Sequence, residues 1–241
     1  MNDKTFDRVE KKYLITASQE KDIQKTIDSH MRKDTYFDST IYNIYYDTKN
    51  FDLIIKSIEN PKFKEKLRAR SYKGYDRVYL EIKTKLRGKD YNTGYKRRVL
   101  ITKDDYKIWR AGGASLATLA AKAEESPADV QIANEIEYMI AHFDLTPKIF
   151  VSYNRKSYTG DGGLRITFDT DLRYRDEDLS FDASKKDKPY FKNDRNIIME
   201  IKVHGAMPLW LVHTLSRAKA YPERFSKIGN IYKLIRKEQN V

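Results

Sequence analysis

The chain has 241 residues, 40% of them hydrophobic, which is enough for one substantial core, and a single domain over residues 1–241 is the expectation. It contains no cysteine, which excludes disulfides and thiolate metal sites, and its four histidines (His30, His142, His204, His213) show no zinc-ligand spacing. No apolar run approaches the roughly 18 residues that a membrane helix needs, and Met-Asn-Asp-Lys-Thr is not a secretion signal, so a soluble cytoplasmic protein is expected. Lys and Arg total 47 against 35 acids, a net charge of +12, which points to an anionic partner.

In chain order, residues 6–16 read as a strand and 17–31 as a helix with Ser18 as its N-cap. The Ile- and Tyr-rich stretch 40–48 reads as a strand, followed by a short helix at 51–57. Three charged strands follow at 62–72, 77–86 and 94–102. Turn signals at Lys73-Gly74, at Arg87-Gly88 and at Asn92-Thr93-Gly94 make them an antiparallel meander. Residues 102–111 form a capped helix, the Ala-rich stretch after Gly113 stays helical, and Ser126-Pro127 opens another helix. Strands return at 147–158 and 164–174, joined by the turn Gly160-Asp161-Gly162-Gly163, which lacks the Lys-Ser/Thr sequel of a nucleotide-binding loop. Residues 175–195 are polar and read as an exposed loop. A strand at 196–204 and helices at 208–220 and 226–238 complete the chain.

Alternate residues of a strand face opposite sides, and here the two sides differ in kind. Lys62, Lys64, Lys66, Arg68 and Arg70 oppose Phe63, Leu67 and Ala69; Arg77, Tyr79, Glu81, Lys83 and Lys85 oppose Val78, Leu80, Ile82, Thr84 and Leu86. Lys96 and Arg98 oppose Tyr95, Val99 and Ile101, with Arg97 the exception. Arg165, Thr167, Asp169 and Asp171 oppose Leu164, Ile166 and Phe168; Glu200 and Lys202 oppose Met199, Ile201 and Val203; Arg8, Glu10 and Lys12 share a face. One polar face per strand is ordinary for a half-solvated sheet. Basic residues dominate here, however, and like charges about 7 Å apart along a strand repel by roughly 2 kcal/mol at an effective dielectric near 20. A fold keeps such repulsion where an anion or a metal offsets it. Helices can cover only the apolar side, which leaves the basic side to line a concave or closed lumen.

These segments resemble a known family. FDRVEKKYLI resembles the opening Arg-x-x-x-Lys-Tyr signature of the VTC domain, the polyphosphate polymerase domain of the triphosphate-tunnel (CYTH-like) metalloenzyme superfamily, in its bacterial branch. KLRARSY, VYLEIKTK and YKRRV resemble its next tunnel strands, VSYNRKSY and LRITFDTDLR its Tyr-Asn-Arg and Arg-x-Thr-x-Asp strands, IIMEIKV its metal-Glu strand, and ERFSKIGNIY its last basic segment. The resemblance implies an α+β fold: a closed antiparallel eight-stranded β-barrel, the triphosphate tunnel, with helices packed outside.

By motif it implies catalytic roles for Arg68, Arg70, Lys83, Lys96, Tyr153, Arg155 and Arg165. Tyr153 shares a face with Arg155 and is expected to donate to a phosphate oxygen. Lys12, Lys85, Arg98, Arg224 and Lys227 are implied phosphate ligands, Arg224 standing where the family has Lys. Glu200 is the implied ligand of Mn²⁺ or Mg²⁺, with Glu10 and Glu81 as helpers or as internal ion-pair partners. The implied activity is transfer of the terminal phosphoryl group of ATP onto a growing polyphosphate chain, with polyphosphate or pyrophosphate as the other ligand. A cytoplasmic location at the inner face of a membrane, through a membrane-protein partner, belongs to the same expectation. Two rivals stand beside it. One is an inorganic or organic triphosphate hydrolase, against which Arg8 counts, because the hydrolases tend to begin Glu-x-Glu-x-Lys. The other is a non-catalytic polyphosphate-binding module; specific nucleic-acid binding is disfavoured, since the 18 tyrosines mostly fall on strand faces rather than alternating with basic residues.

Overall fold

The charged strands at 62–72 and 77–86 keep their alternation in the fold, with helices packed on their apolar side. The structure is a computed structural model that describes residues 8–59, 61–88, 92–122, 126–182 and 184–239. The strands are β1 (Arg8–Ile15), β2 (Arg32–Asp47), β3 (Phe63–Tyr72), β4 (Arg77–Arg87), β5 (Asn92–Thr102), β6 (Thr146–Thr159), β7 (Arg165–Arg175), β8 (Lys188–Pro189) and β9 (Ile197–His204). The helices are α1 (Ala17–His30), α2 (Asp52–Glu59), α3 (Lys103–Arg110), α4 (Leu116–Lys122), α5 (Pro127–Phe143), α6 (Leu209–Arg217) and α7 (Lys227–Gln239). Phe6 and Asp7, expected to begin the first strand, lie outside the described residues, as does Ala123 at the end of the Ala-rich helix.

The fold is α+β around one large sheet, paired in the order β1-β9-β7-β6-β2-β3-β4-β5, with the two-residue β8 beside β7. The β1–β9, β9–β7, β2–β3, β3–β4 and β4–β5 pairs are all antiparallel. The path has two ends: among the described residues no pairing joins β1 to β5, so the strand pairing alone does not give the closed barrel that the resemblance implies.

The chain divides into two compact units. The first comprises Met1–Thr40, Ser152–Arg173 and Lys188–Ser226. Its core joins Ile15, Ile23 and Ile27 from β1 and α1 to Ile166 and Phe168 of β7, Met199 and Ile201 of β9, and Leu211 of α6. The second comprises Ile41–Val151, Tyr174–Asp187 and Lys227–Val241. Its core packs Leu67, Ala69, Leu80, Ile82, Val99 and Ile101 against Tyr106 of α3, Leu116 and Leu119 of α4, and Ile136 and Met139 of α5. In both, the buried positions are the apolar faces read from alternation.

Local chemistry sets the boundaries. The N-cap of α1 is Thr16, not Ser18: Thr16 Oγ1 accepts from Gln19 N and Gln19 Oε1 accepts from Thr16 N, a reciprocal box. Thr102 caps α3 by accepting from Asp105 N, and Ser126 precedes Pro127 at the first turn of α5. Strand β2 begins at Arg32, eight residues before the stretch that reads as a strand in the sequence, and its first part, RKDTYFDS, is mostly exposed and lacks the alternation by which a half-buried strand shows itself. The Gly-rich turn between β6 and β7 is a short 3₁₀ turn, Asp161–Gly163. Gly163 has φ +74°, and a Cβ there would lie 2.6 Å from the His204 ring, so His204 has a packing role at this turn.

Candidate functional site

In the second unit the register sets the polar faces of β3, β4 and β5 side by side. Lys66 lies opposite Lys83, and Lys83 opposite Lys96, a row of three lysines across neighbouring strands. Next to it runs Arg68–Glu81–Arg98, extended on the β2 side by Tyr45 opposite Arg68. Arg70 stands between Asn43 and Tyr79, and Lys64 opposite Lys85. Directly opposed like charges destabilise a sheet, and strands sit about 4.8 Å apart. The repulsion is visible in Lys64, whose ammonium is pulled below its usual range first by burial and then by Lys85, Arg87 and Lys83.

Among the described residues, one carboxylate stands among these cations. Glu81 is 2% exposed at its side chain; its Oε2 accepts from Arg68 Nε at 2.7 Å and lies 2.6 Å from Nη2, and its Oε1 lies 3.5 Å from Lys96 Nζ. Burial pushes the Glu81 carboxyl up, but Arg68, Arg70 and Lys96 outweigh it and hold it down at about 2. Arg68 Nη1 also donates to Tyr45 Oη at 3.5 Å, and Arg70 Nε donates to Asn43 Oδ1 at 2.9 Å. The buried Tyr45 phenol shows how positive this face is: burial raises it, and Arg68, Lys66 and Arg70 overcome that and bring it down to about 8.

The first unit alternates its charges instead. On β1 and β9, Glu10 lies opposite Lys202 and Lys12 opposite Glu200; across β9, Lys202 faces Arg165 and Glu200 faces Thr167 on β7. Lys202 Nζ is 2.6 Å from Glu200 and 3.8 Å from Glu10, and Lys12 Nζ is 3.3 Å from Glu10 and 3.7 Å from Glu200. Lys12 Nζ also donates to Phe225 O, and Glu223 N to Lys12 O, which ties the segment carrying Arg224 to β1; Arg224 itself is exposed. Arg155 forks onto the fully buried Asp169 at 2.6 and 2.7 Å and lies over the buried Tyr153 ring. Burial pulls the Arg155 guanidinium down, and Tyr153 and Asp169 together more than reverse this, so it stays charged. Arg165 donates to Ser157 Oγ at 3.2 Å and pairs with Asp34 at 3.1 Å.

Of the residues singled out in the sequence, Arg68, Arg70, Lys83, Lys85, Lys96, Arg98 and Glu81 meet on one face of the second unit. Lys12, Arg165, Glu10 and Glu200 meet on one face of the first, beside the Arg155–Asp169 pair. Lys227 opens α7 in the second unit, half-buried. Arg97 points the other way, as its alternation required, and pairs with Glu135 of α5 at 2.7 Å on the helix-covered side. The alternation pattern does not show Tyr45, Asn43, Asp34 or Ser157, because what places them beside arginines is strand register and long-range pairing. The YNIYYD run was a signal for a strand, not for which tyrosine meets Arg68.

The metal reading meets a divided donor set. Among the described residues no group of three or more Asp, Glu, His or Cys side chains converges to hold an ion. Glu81 pairs with Arg68 and Lys96, and Glu10 and Glu200 each pair with Lys12 and Lys202. Glu10 and Glu200 are diagonal neighbours on one face, and Thr167 Oγ1, buried opposite Glu200, has no hydrogen-bond partner among the described residues. Two carboxylates and one orphaned hydroxyl are hard oxygen donors of the kind Mg²⁺ or Mn²⁺ takes when substrate phosphates complete its shell, so these residues fit such an ion.

Comparison with known proteins bears on the fold and on the family. A Hippeastrum protein described as an adenylyl cyclase candidate with a dominant triphosphatase activity superposes with a TM-score of 0.54 at 15% identity, covering 92% of this chain and 93% of its own. An adenylate cyclase candidate from Vibrio parahaemolyticus gives 0.48 at 9% identity, over 93% and 97% of the two chains. The PH1819 protein of Pyrococcus horikoshii gives 0.46 at 12%, over 94% and 98%. The first of these shows a shared fold. The VTC domain family model matches residues 7–235, nearly the whole sequence, and the chain belongs to the VTC domain family.

Proposed function

We propose that this chain is a polyphosphate polymerase, which transfers the terminal phosphoryl group of ATP to the end of a polyphosphate chain. The observation that carries the reading is the Lys66–Lys83–Lys96 row beside Arg68–Glu81–Arg98, a cationic surface kept despite its self-repulsion, on a chain of the VTC domain family. Phosphoryl transfer asks a protein mainly for positioning and charge neutralisation. An oxygen of the terminal phosphate of the acceptor chain forms a bond to the γ-phosphorus while the bond from that phosphorus to the β,γ-bridging oxygen breaks. ADP leaves with the bonding pair. The lysines meet the charge spread over the phosphate oxygens as point charges, and Arg68 and Arg70, oriented by Glu81, Tyr45 and Asn43, offer forked donors. Lys12, Arg155, Arg165, Lys227 and Arg224 have the remaining phosphate-binding roles in this reading, and Tyr153 supports Arg155. A divalent ion at Glu200 and Glu10, when bound, supplies Lewis-acid neutralisation of phosphate charge. Closure of the strand path into a tunnel and a cytoplasmic setting are parts of the same proposal, and they rest on the resemblance.

The decisive assay is the purified protein with ATP and Mn²⁺, its products resolved by gel. A ladder of polyphosphate is the expected result; release of orthophosphate without a ladder moves the assignment to hydrolysis, and tight binding without turnover moves it to a binding module. In the same assay Glu200→Gln should slow turnover roughly 10²–10³-fold, the loss of about 3–4 kcal/mol of transition-state stabilisation. Its metal-free affinity for tripolyphosphate should hold or rise, because a negative charge has left a basic face. Near-normal turnover would remove Glu200 from the metal role and leave Glu10 as the candidate.

A further inference from the structure

A cavity lies in the second unit, on the helix-covered side of the sheet and so on the opposite face from the lysine row. It has a volume of about 670 Å³, within the range of small-molecule sites, and its walls come from α3 and from the stretch Leu179–Asp182. On α3, Lys103, Tyr106, Lys107 and Arg110 recur at spacings of three, four and seven residues, which brings them to one side of the helix. Facing them are Leu179, Ser180, Phe181 and Asp182. Three cations against one carboxylate make this lining net positive, while Tyr106, Phe181, Leu179 and Ala111 make it partly apolar.

The wall opposite α3 is built rather than loose. Arg175 of β7, 5% exposed, donates from Nε to Asp178 O at 3.0 Å and from Nη2 to Ser180 O, and pairs through Nη1 with Asp187. Its guanidinium lies 3.6 Å from the Phe150 ring centroid, so one buried arginine fixes both ends of the stretch that carries Leu179–Asp182. Phe181 in turn sets its ring 5.3 Å from that of Tyr106. On the other wall, Arg110 Nη1 donates to both Tyr46 Oη and Tyr106 Oη at 3.4 Å, and those two phenols are themselves 2.8 Å apart and buried. Lys107 pairs with Asp104 at 2.8 Å, but both side chains are at least three-quarters exposed, where such a pair is worth little and yields to a better anion.

We infer that this cavity is a binding site for a small planar organic phosphate, whose flat body rests on Phe181 and Leu179 while its phosphate meets Arg110, Lys103 and Lys107. A ring system gains from contact with Phe181, and a phosphate gains from a forked guanidinium already positioned by two tyrosines. The two halves are useful only together: inorganic phosphate leaves the apolar half empty, and an uncharged ring leaves the cations without a partner.

The probe is AMP, titrated calorimetrically into the whole protein without metal, with adenosine and orthophosphate as half-ligands and tripolyphosphate as competitor. One AMP is expected per chain, with each half-ligand at least tenfold weaker, and saturating tripolyphosphate is expected to leave AMP bound. Phe181→Ala and Arg110→Ala should each weaken AMP at least tenfold, and Phe181→Leu, which keeps the apolar wall, should recover part of that loss. An absence of AMP binding, displacement of AMP by tripolyphosphate, or full affinity in both variants whose circular dichroism matches the parent would each overturn the inference. Turnover is not used as the readout, so failure here is distinct from failure of the polymerase reading.

Discussion

Glu81 sits at the centre of the basic face, and its charge state can be read through stability. Its carboxyl is held at about 2 in the fold, against 4.5 ordinarily. A folded-state value below the unfolded one means that the stabilisation is present above about pH 4.5 and is lost as pH falls through about 2. The gap amounts to on the order of 3 kcal/mol for this buried group. Glu81→Gln should therefore lower unfolding free energy by about that amount at pH 7, and its deficit relative to the parent should shrink between pH 4.5 and 2. A deficit that does not change with pH would mean that packing, not charge, is what the residue supplies. Tyr45 makes the converse test. Its phenol is brought down to about 8, so above that pH a phenolate cancels one positive charge where the anion is to bind. Its own contribution to stability is present above about pH 10 and is lost as pH falls through about 8. Metal-free tripolyphosphate affinity in Tyr45→Phe should match the parent near pH 7 and exceed it several-fold at pH 9.5. Equal affinities at both values would place Tyr45 outside the binding surface.

At the scale of elements, Asp47 shows a device that sequence patterning hides. This buried carboxylate ends β2 and accepts from the amides of Thr48 at 2.8 Å and of Leu53 and Ile54 at 2.9 Å, closing the entry to α2. Burial pushes the carboxyl up, and those three amides only partly offset it. Asp47→Ala would strand two buried helix-terminal donors, so a loss of roughly 2–4 kcal/mol in chemical denaturation is expected. A loss below about 1 kcal/mol would show that water replaces the carboxylate there. The strand faces, by contrast, were legible because alternation and burial report the same thing: Leu67, Ala69, Leu80 and Ile82 had to be inside, which put Lys66, Arg68, Glu81 and Lys83 on the other side. What could not be read were facts of register and long-range pairing. That Lys66, Lys83 and Lys96 form one row, that Tyr45 meets Arg68, and that Arg175 meets Asp178, Ser180 and Asp187 all depend on which residue pairs with which. The choice of Thr16 over Ser18 as the α1 cap turned on a single side-chain reciprocity with Gln19.

For the whole molecule, a net charge of +12 is spread over many surfaces, but the row at Lys83 sets three lysines at directly opposed positions on neighbouring strands. Lys83 has a lysine directly opposite on each side, and such pairs destabilise a sheet by roughly 0.2–1 kcal/mol each. A protein built to hold a polyanion at that row should be held back by it when empty and gain stability when it is filled. Tripolyphosphate at about a hundred times its dissociation constant should add about 2.7 kcal/mol, which for a chain of this size raises the melting temperature by roughly 5–10 °C. Sulfate should do less at equal ionic strength, and added salt should erode the gain, since the attraction is screened over about 10 Å at 0.1 M. Lys83→Met separates this account from ordinary surface chemistry, because it removes both opposed pairs while keeping the exposed side chain's length. It should lose a large share of the tripolyphosphate gain. If the gain stays intact, the lysine row is not the place where the anion binds.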